Sequence, residues 1–261
     1  MHIKSVITGL LSSLLLISQG SALAEPLVGQ CSAKSGAKTV PLLELYTSEG
    51  CSSCPPADKW LSKIKHGPDE VSPLAFHVDY WDYIGWKDKF STAEYSNRQR
   101  KTAAFGGAGF VYTPQFVFNG RDFKGWDNSR LEGAIDRQQK LASRANLQLN
   151  AINEVDGSIT LKANAEAVNV GDIKNADVFV ALYQNGLVTK VKAGENVGRE
   201  LKHDYVVRKL FGAYQINSLN QFNKQFKLGS VWGGRDAGAV IFVQDANNGK
   251  IIQSLALKFC S

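Results

Sequence analysis

Two cysteines separated by two serines, Cys51-Ser52-Ser53-Cys54, are the residues of this chain best suited to chemistry. At that spacing a chain turning into a helix brings both sulfurs within bonding reach, and the pair can cycle between dithiol and disulfide. Cys51, at the end of a loop, is the candidate nucleophile, and Cys54, drawn into the helix, is the candidate resolving thiol. The same spacing is also half of a zinc site, which needs a second Cys or His pair. The other cysteines, Cys31 and Cys260, start no such pair, and His2, His66, His77 and His203 show no ligand spacing. Two thiolates alone could hold Cu(I), whose soft character suits sulfur. A nearby His or Met to complete that site is missing, and Met1 is the only methionine. No metal and no organic cofactor are expected.

The elements that must position this pair are legible on either side of it. The short apolar run that begins at Val40 predicts a strand, and Gly50 marks the turn that follows. Pro55 and Pro56 lack backbone N–H groups and are tolerated only in a first turn, so the helix should start near Cys54 or Pro55. Trp60, Leu61 and Ile64 mark its buried face, and His66-Gly67-Pro68 ends it. Leu74 to Tyr80 predicts a second strand, which completes a right-handed parallel unit. Sites in such sheets form beyond the carboxyl ends of the strands. Asp79, Tyr80, Trp81, Asp82 and Tyr83 follow the second strand on that rim, as the anchored base of a loop; Asp82 is a candidate proton acceptor near Cys54. His77, inside the strand, is expected to be buried and hydrogen-bonded, and Arg98-Gln99-Arg100-Lys101 to be a solvated helix face. The glycines of Phe105 to Phe110 lack the Gly-Lys-Ser/Thr ending of a phosphate cradle and predict a turn. Two alternating runs joined by Asn119-Gly120, within Val111 to Trp126, predict a hairpin with a primed turn. Pro114 belongs at its first residue, and a helix is expected from Ser129 to about Leu141.

Cys51-Ser52-Ser53-Cys54 after a strand, then Thr113-Pro114-Gln115-Phe116-Val117-Phe118-Asn119-Gly120 and a closing helix, resembles the thioredoxin fold. The resemblance implies that Pro114 is cis and faces the cysteines, with Thr113 offering backbone groups to an extended substrate. A closer resemblance, over nearly all of the chain after its leader, is to a secreted bacterial thioredoxin-like family catalogued only as a domain of unknown function. It rests on Leu-Tyr-Thr-Ser-Glu-Gly-Cys-Ser-Ser-Cys-Pro-Pro-Ala-Asp at 45 to 58 and Gly-Glu-Asn-Val-Gly-Arg at 194 to 199. No established substrate comes with it. The leading strand and helix of a full thioredoxin are missing, and Tyr80 to Pro114 is longer than that fold requires, which suggests an added helix or lid.

The N-terminus has Lys4, an apolar core from Val6 to Ile17 and the ending Ser21-Ala22-Leu23-Ala24, the pattern of a secretory signal with cleavage after Ala24. Export into an oxidising compartment favours paired thiols. With Cys51 and Cys54 paired by proximity, Cys31 and Cys260 are left to bond each other and close almost the whole chain into one loop; the alternative is two buried free thiols. The 30 basic and 24 acidic residues are interspersed, and no nucleic-acid motif accompanies them. No later stretch is apolar enough to span a membrane.

From Ala145 onward, short alternating strands separated by turns such as Asp156-Gly157 and Asn247-Asn248-Gly249 predict an antiparallel sandwich. The Gly194 to Leu201 stretch is either a contact loop or a tight connection, and Arg199 and His203 are placed to pack against the first domain. The expected class is therefore α/β: residues 1–24 a signal peptide, 25–40 an extension, 41–144 a thioredoxin-like domain and 145–261 a β-sandwich-like domain. The expected function is an exported thiol-disulfide oxidoreductase acting on a protein or small thiol partner, through catalytic Cys51 and Cys54, with Thr113 and Pro114 positioning the substrate. The alternatives are an envelope binding module in which Cys51 to Cys54 is only a staple, and a Cu(I)-handling protein.

Overall fold

The computed structural model describes Met1 and residues 29–260 apart from 128, 170, 172, 217–220 and 233–235. The predicted leader and its cleavage site after Ala24 lie outside the described residues. The chain opens with β1 (Gln30–Lys34), followed by a strand-helix-strand unit of β2 (Leu42–Thr47), α1 (Pro55–Leu61) and β3 (Ser72–His77). Next come α2 (Ala93–Phe105), the hairpin β4 (Gln115–Phe118) and β5 (Arg121–Asp122), and α3 (Arg130–Gln139). The remainder is strand: β6 (Ala145–Asn153), β7 (Ile159–Ala167), β8 (Ala176–Gln184), β9 (Leu187–Lys190), β10 (Glu200–His203), β11 (Val206–Gln215), β12 (Gln221–Leu228), β13 (Ala237–Asp245) and β14 (Ile251–Lys258). β10 and β11 are separated at Tyr205, which takes a φ of 57°.

The expected class, a thioredoxin-like α/β domain followed by a separate sandwich, is overturned. The molecule is mostly β, and its largest sheet has eight strands in the order β14-β13-β8-β11-β3-β2-β4-β5. Strands from both halves of the chain share it. The seam is at β3, where Val206 of β11 pairs in parallel with Ala75, and the Ala75 N–H donates to the Tyr205 carbonyl at 2.8 Å. An exposed edge at β3 would be a row of unpaired backbone groups; β11 covers it. The second sheet, β1-β6-β7-β12, is antiparallel. It packs on the β8, β13 and β14 part of the large sheet through Leu147, Leu149, Leu161, Val178, Val180 and Ile241. On the β2, β3 and β4 part, that same face is covered by α1 and α3 through Leu43, Leu45, Leu61, Phe116, Leu131 and Ile135. The opposite face of the large sheet has a third core, around Tyr46, Phe76, Tyr95, Phe179 and Phe242.

That third core corrects a further expectation. Arg98 of α2 is buried rather than solvated: its Nε lies 2.7 Å from Glu44 Oε1, and its guanidinium stacks near the rings of Phe76, Phe179 and Phe242. A buried guanidinium needs both a counter-charge and ring faces, and two halves of the chain provide them. The hairpin turn is primed, with Asn119 at φ 53° and Gly120 at φ 81°. A Cβ on Gly120 would stand 2.1 Å from the Gly249 carbonyl oxygen, so this turn also packs on the β13–β14 connection. Cys31 and Cys260 are bonded, which fastens β1 to the chain's end beyond β14.

Candidate functional site

The parallel unit brings Cys51 and Cys54 to the carboxyl end of β2, where they are bonded to each other. Cys54 is the residue before α1, and its carbonyl accepts from the N–H groups of Ala57 and Asp58 at 2.9 and 3.1 Å. Pro55 and Pro56 occupy the first turn, so fewer free N–H groups face the sulfurs there than in an ordinary helix start. The Thr113–Pro114 bond is cis. The Thr113 carbonyl oxygen is 3.8 Å from Cys51 Sγ, and the Thr113 hydroxyl accepts from the Trp81 indole at 2.7 Å. All four expected site residues, Cys51, Cys54, Thr113 and Pro114, are therefore drawn to one rim.

The cysteines are covered. Cys51 is 2% exposed and Cys54 is 0% exposed, while Ser52 and Ser53 between them face solvent. The cover comes from the segment joining β9 to β10, a contact loop. Asn196, fully buried, donates to the carbonyls of Glu49 and Cys51 at 2.9 and 3.0 Å. Glu195 accepts from the Ser52 N–H at 3.0 Å. Gly194 rests on the aromatic rim: a Cβ there would be 3.2 Å from Trp86 Cβ and 3.6 Å from Ile84 Cδ1. Asp82, the candidate proton acceptor, accepts from the Asp88 N–H and the Ser91 hydroxyl. Burial raises its pKa more than those bonds lower it.

Sequence reasoning missed a buried polar cluster beside this loop. His77 Nδ1 lies 2.6 Å from Asp88 Oδ2, and Asp88 also accepts from the N–H groups of Glu49 and Phe90. His203, at the end of β10, is 3.4 Å from Glu49 and 3.5 Å from Asp58. Burial lowers the His203 pKa, but the neighbouring Asp58 and Glu49 carboxylates outweigh it and raise the group to about 9. Burial also opposes ionisation of Glu49 and Asp88, yet both are held below the usual carboxylate range, Glu49 chiefly by His203 and Asp88 by His77. The signal for it in the sequence is Asp58, the acidic residue that ends the motif at 45 to 58.

A parallel strand-helix-strand unit carrying a covered disulfide, inside a large mixed sheet, defines the class. Residues 42–244 match the family described as "Protein of unknown function (DUF1223)", and the chain belongs to that family. Among solved structures, it is similar to the crystal structure of a protein from Agrobacterium tumefaciens, with 26% identity and a TM-score of 0.62 over 85% of this chain and 96% of that one. It is also similar in fold to HBP35 of Porphyromonas gingivalis, with 15% identity and a TM-score of 0.63 over 86% of this chain and 76% of that one. No curated protein matches. Among the described residues, no helix is long and apolar enough to cross a membrane.

Proposed function

We propose that the protein is an exported thiol-disulfide oxidoreductase whose Cys51–Cys54 pair exchanges with a thiol or disulfide partner. The observation that carries this is the contact of Cys51 Sγ with the Thr113 carbonyl. A disulfide sulfur has no proton to donate, so the contact leaves the carbonyl free to pair with an incoming chain. Kinship with thioredoxin-like proteins is confined in this proposal to that local arrangement. Beside it, Phe110, Tyr112, Pro114, Lys124 and Trp126 line an open cavity of about 440 Å³ suited to an extended polypeptide with apolar side chains.

From the bonded state, a substrate thiolate attacks Cys51 Sγ, the Cys51–Cys54 bond breaks, and Cys54 leaves as the thiolate. A second substrate thiolate then attacks its partner sulfur in the mixed disulfide, releasing Cys51. The substrate is oxidised by two electrons, the cysteine pair is reduced, and the two substrate protons end on the cysteines or solvent. In the opposite direction, Cys51 attacks and Cys54 resolves. The cover must move aside for either, since attack requires a line of approach to the sulfur.

The burial of both sulfurs favours a second reading, in which the pair is only a staple in a binding module. Exchange and potential separate the two. Cys51→Ser should abolish turnover of a dithiol probe, and Cys54→Ser should accumulate mixed disulfides. Retention of full turnover by Cys51→Ser would sink the enzyme. A potential below about −300 mV with no exchange in the folded protein would establish the staple.

A further inference from the structure

Two histidines and three carboxylates meet beneath the cysteine loop from separate parts of the fold. Glu49 belongs to the loop after β2, Asp58 to α1, His77 to β3, Asp88 to the segment before α2, and His203 to β10. Glu49 and His77 are 0% exposed, Asp88 1%, His203 2% and Asp58 6%. Ionisable groups buried this completely are costly unless each polar atom finds a partner. Here the pairing is half complete, in a regular way. Glu49 Oε2 accepts from the Trp86 indole, Asp58 Oδ2 from the Thr47 hydroxyl, and His77 Nδ1 is bonded to Asp88. The second atom of each group points inward. Glu49 Oε1, His77 Nε2 and both ring nitrogens of His203 have no hydrogen-bond partner among the described residues. The contacts of His203 with Glu49 and Asp58 are at ion-pair distance but outside hydrogen-bond geometry.

Ligand atoms of Asp58, His77 and His203 lie within 4.8 Å of one another. Small side-chain rotations bring such atoms onto a single ion. His77 Nδ1 faces the Asp88 carboxylate, which leaves Nε2, on the other side of the ring and without a partner, as the nitrogen available to a cation. A ligating imidazole held by an outer carboxylate is the usual arrangement around a bound metal. We propose that Asp58, His77 and His203 bind one divalent transition cation of the zinc class, with Asp88 fixing His77 from outside. Two imidazoles and one carboxylate supply three ligands of a tetrahedral ion and leave its fourth position to water, with Glu49, 3.4 Å from His203, a second negative charge nearby. Imidazole nitrogen disfavours calcium and magnesium, which take oxygen ligands. A surface cavity of about 380 Å³, lined by Pro55, Asp58, Lys59, Leu201 and His203, provides the entry path.

The cysteines are not ligands, so the site stands whether or not the disulfide is redox-active. Its position gives it a consequence for the cover: His203 closes the β9–β10 hairpin whose connecting segment carries Asn196 and Glu195 over Cys51. A cation joining His203 to Asp58 and His77 would tie that hairpin to α1, which follows Cys54, and to β3.

The test uses the untagged, full-length, chelator-treated protein with its disulfides intact, titrated with Co²⁺ by visible absorption and with Zn²⁺ by calorimetry. One equivalent per chain is expected, with the bands of four-coordinate cobalt and displacement by zinc. His203→Gln should weaken binding at least tenfold, and Asp88→Asn, which removes only the outer carboxylate's charge, by 10- to 100-fold. His66→Ala, at the surface pair His66–Glu70, should change nothing. Circular dichroism checks each variant, and Asp88→Asn decides if His203→Gln does not fold. Failure of the wild-type protein to bind either ion at micromolar concentration would overturn the proposal. So would full binding by folded His203→Gln, by Asp88→Asn where His203→Gln is unfolded, or loss of binding in His66→Ala.

Discussion

Asn196→Ala should expose the Cys51–Cys54 bond to reductant without unfolding the protein. The side chain is fully buried and donates to two carbonyls of the cysteine loop, Glu49 at 2.9 Å and Cys51 at 3.0 Å. Each such bond contributes a net of about 0.5–1.5 kcal/mol, so closure of the cover should weaken by roughly 2 kcal/mol. At about 1.4 kcal/mol per factor of ten, the open population rises roughly 30-fold. If a reductant reaches Cys51 only through that opening, the rate of reduction rises by the same factor. The assay is pseudo-first-order reduction by dithiothreitol under native conditions, read by alkylation and mass spectrometry, with urea unfolding of the same preparation. Global stability should fall by no more than the local loss. A reduction rate within twofold of wild type in the folded variant would refute the role of Asn196 as the closure. So would wild-type reduction that proceeds only at the rate of global unfolding.

Three further outcomes follow from the packing. Arg98→Met leaves Glu44 buried without its counter-charge and should cost about 3–5 kcal/mol in urea unfolding; the double variant with Glu44→Gln should recover part of that loss. Replacing both Cys31 and Cys260 by serine removes a link across 229 positions. In the chain-entropy model this is worth at most roughly 5 kcal/mol, and an unchanged urea midpoint would contradict that account. Gly120→Ala forces a Cβ to within 2.1 Å of the Gly249 carbonyl at a positive φ, so it should destabilise by about 1 kcal/mol or more, seen as a lower thermal midpoint.

Local signals were strong where one short stretch decides its own conformation. The Asn119-Gly120 turn, the Pro55-Pro56 helix start and the strand before the cysteines are each set by backbone chemistry within a few residues. The course of the sheet was written less plainly. β8, Ala-Asp-Val-Phe-Val-Ala-Leu-Tyr-Gln, and β13, Ala-Gly-Ala-Val-Ile-Phe-Val-Gln-Asp, are buried along nearly their whole length. Near-continuous apolar runs belong to strands covered on both faces, whereas a sandwich strand with one wet face alternates. That difference was present in the residues, and it marked these strands as the interior of a larger sheet.

By itself, then, the sequence determined the cysteine pair and the turns and helix starts around it, because each depends on neighbours a few positions away; that Pro114 faces the pair came only from the resemblance. Tertiary structure alone decided that β11 would join β3, that Asn196 would close over Cys51, and that His203 would meet Glu49, Asp58 and His77. Those contacts join residues more than a hundred positions apart. They form because an open sheet edge and buried charges need partners, and nothing local to either partner says which one it will be.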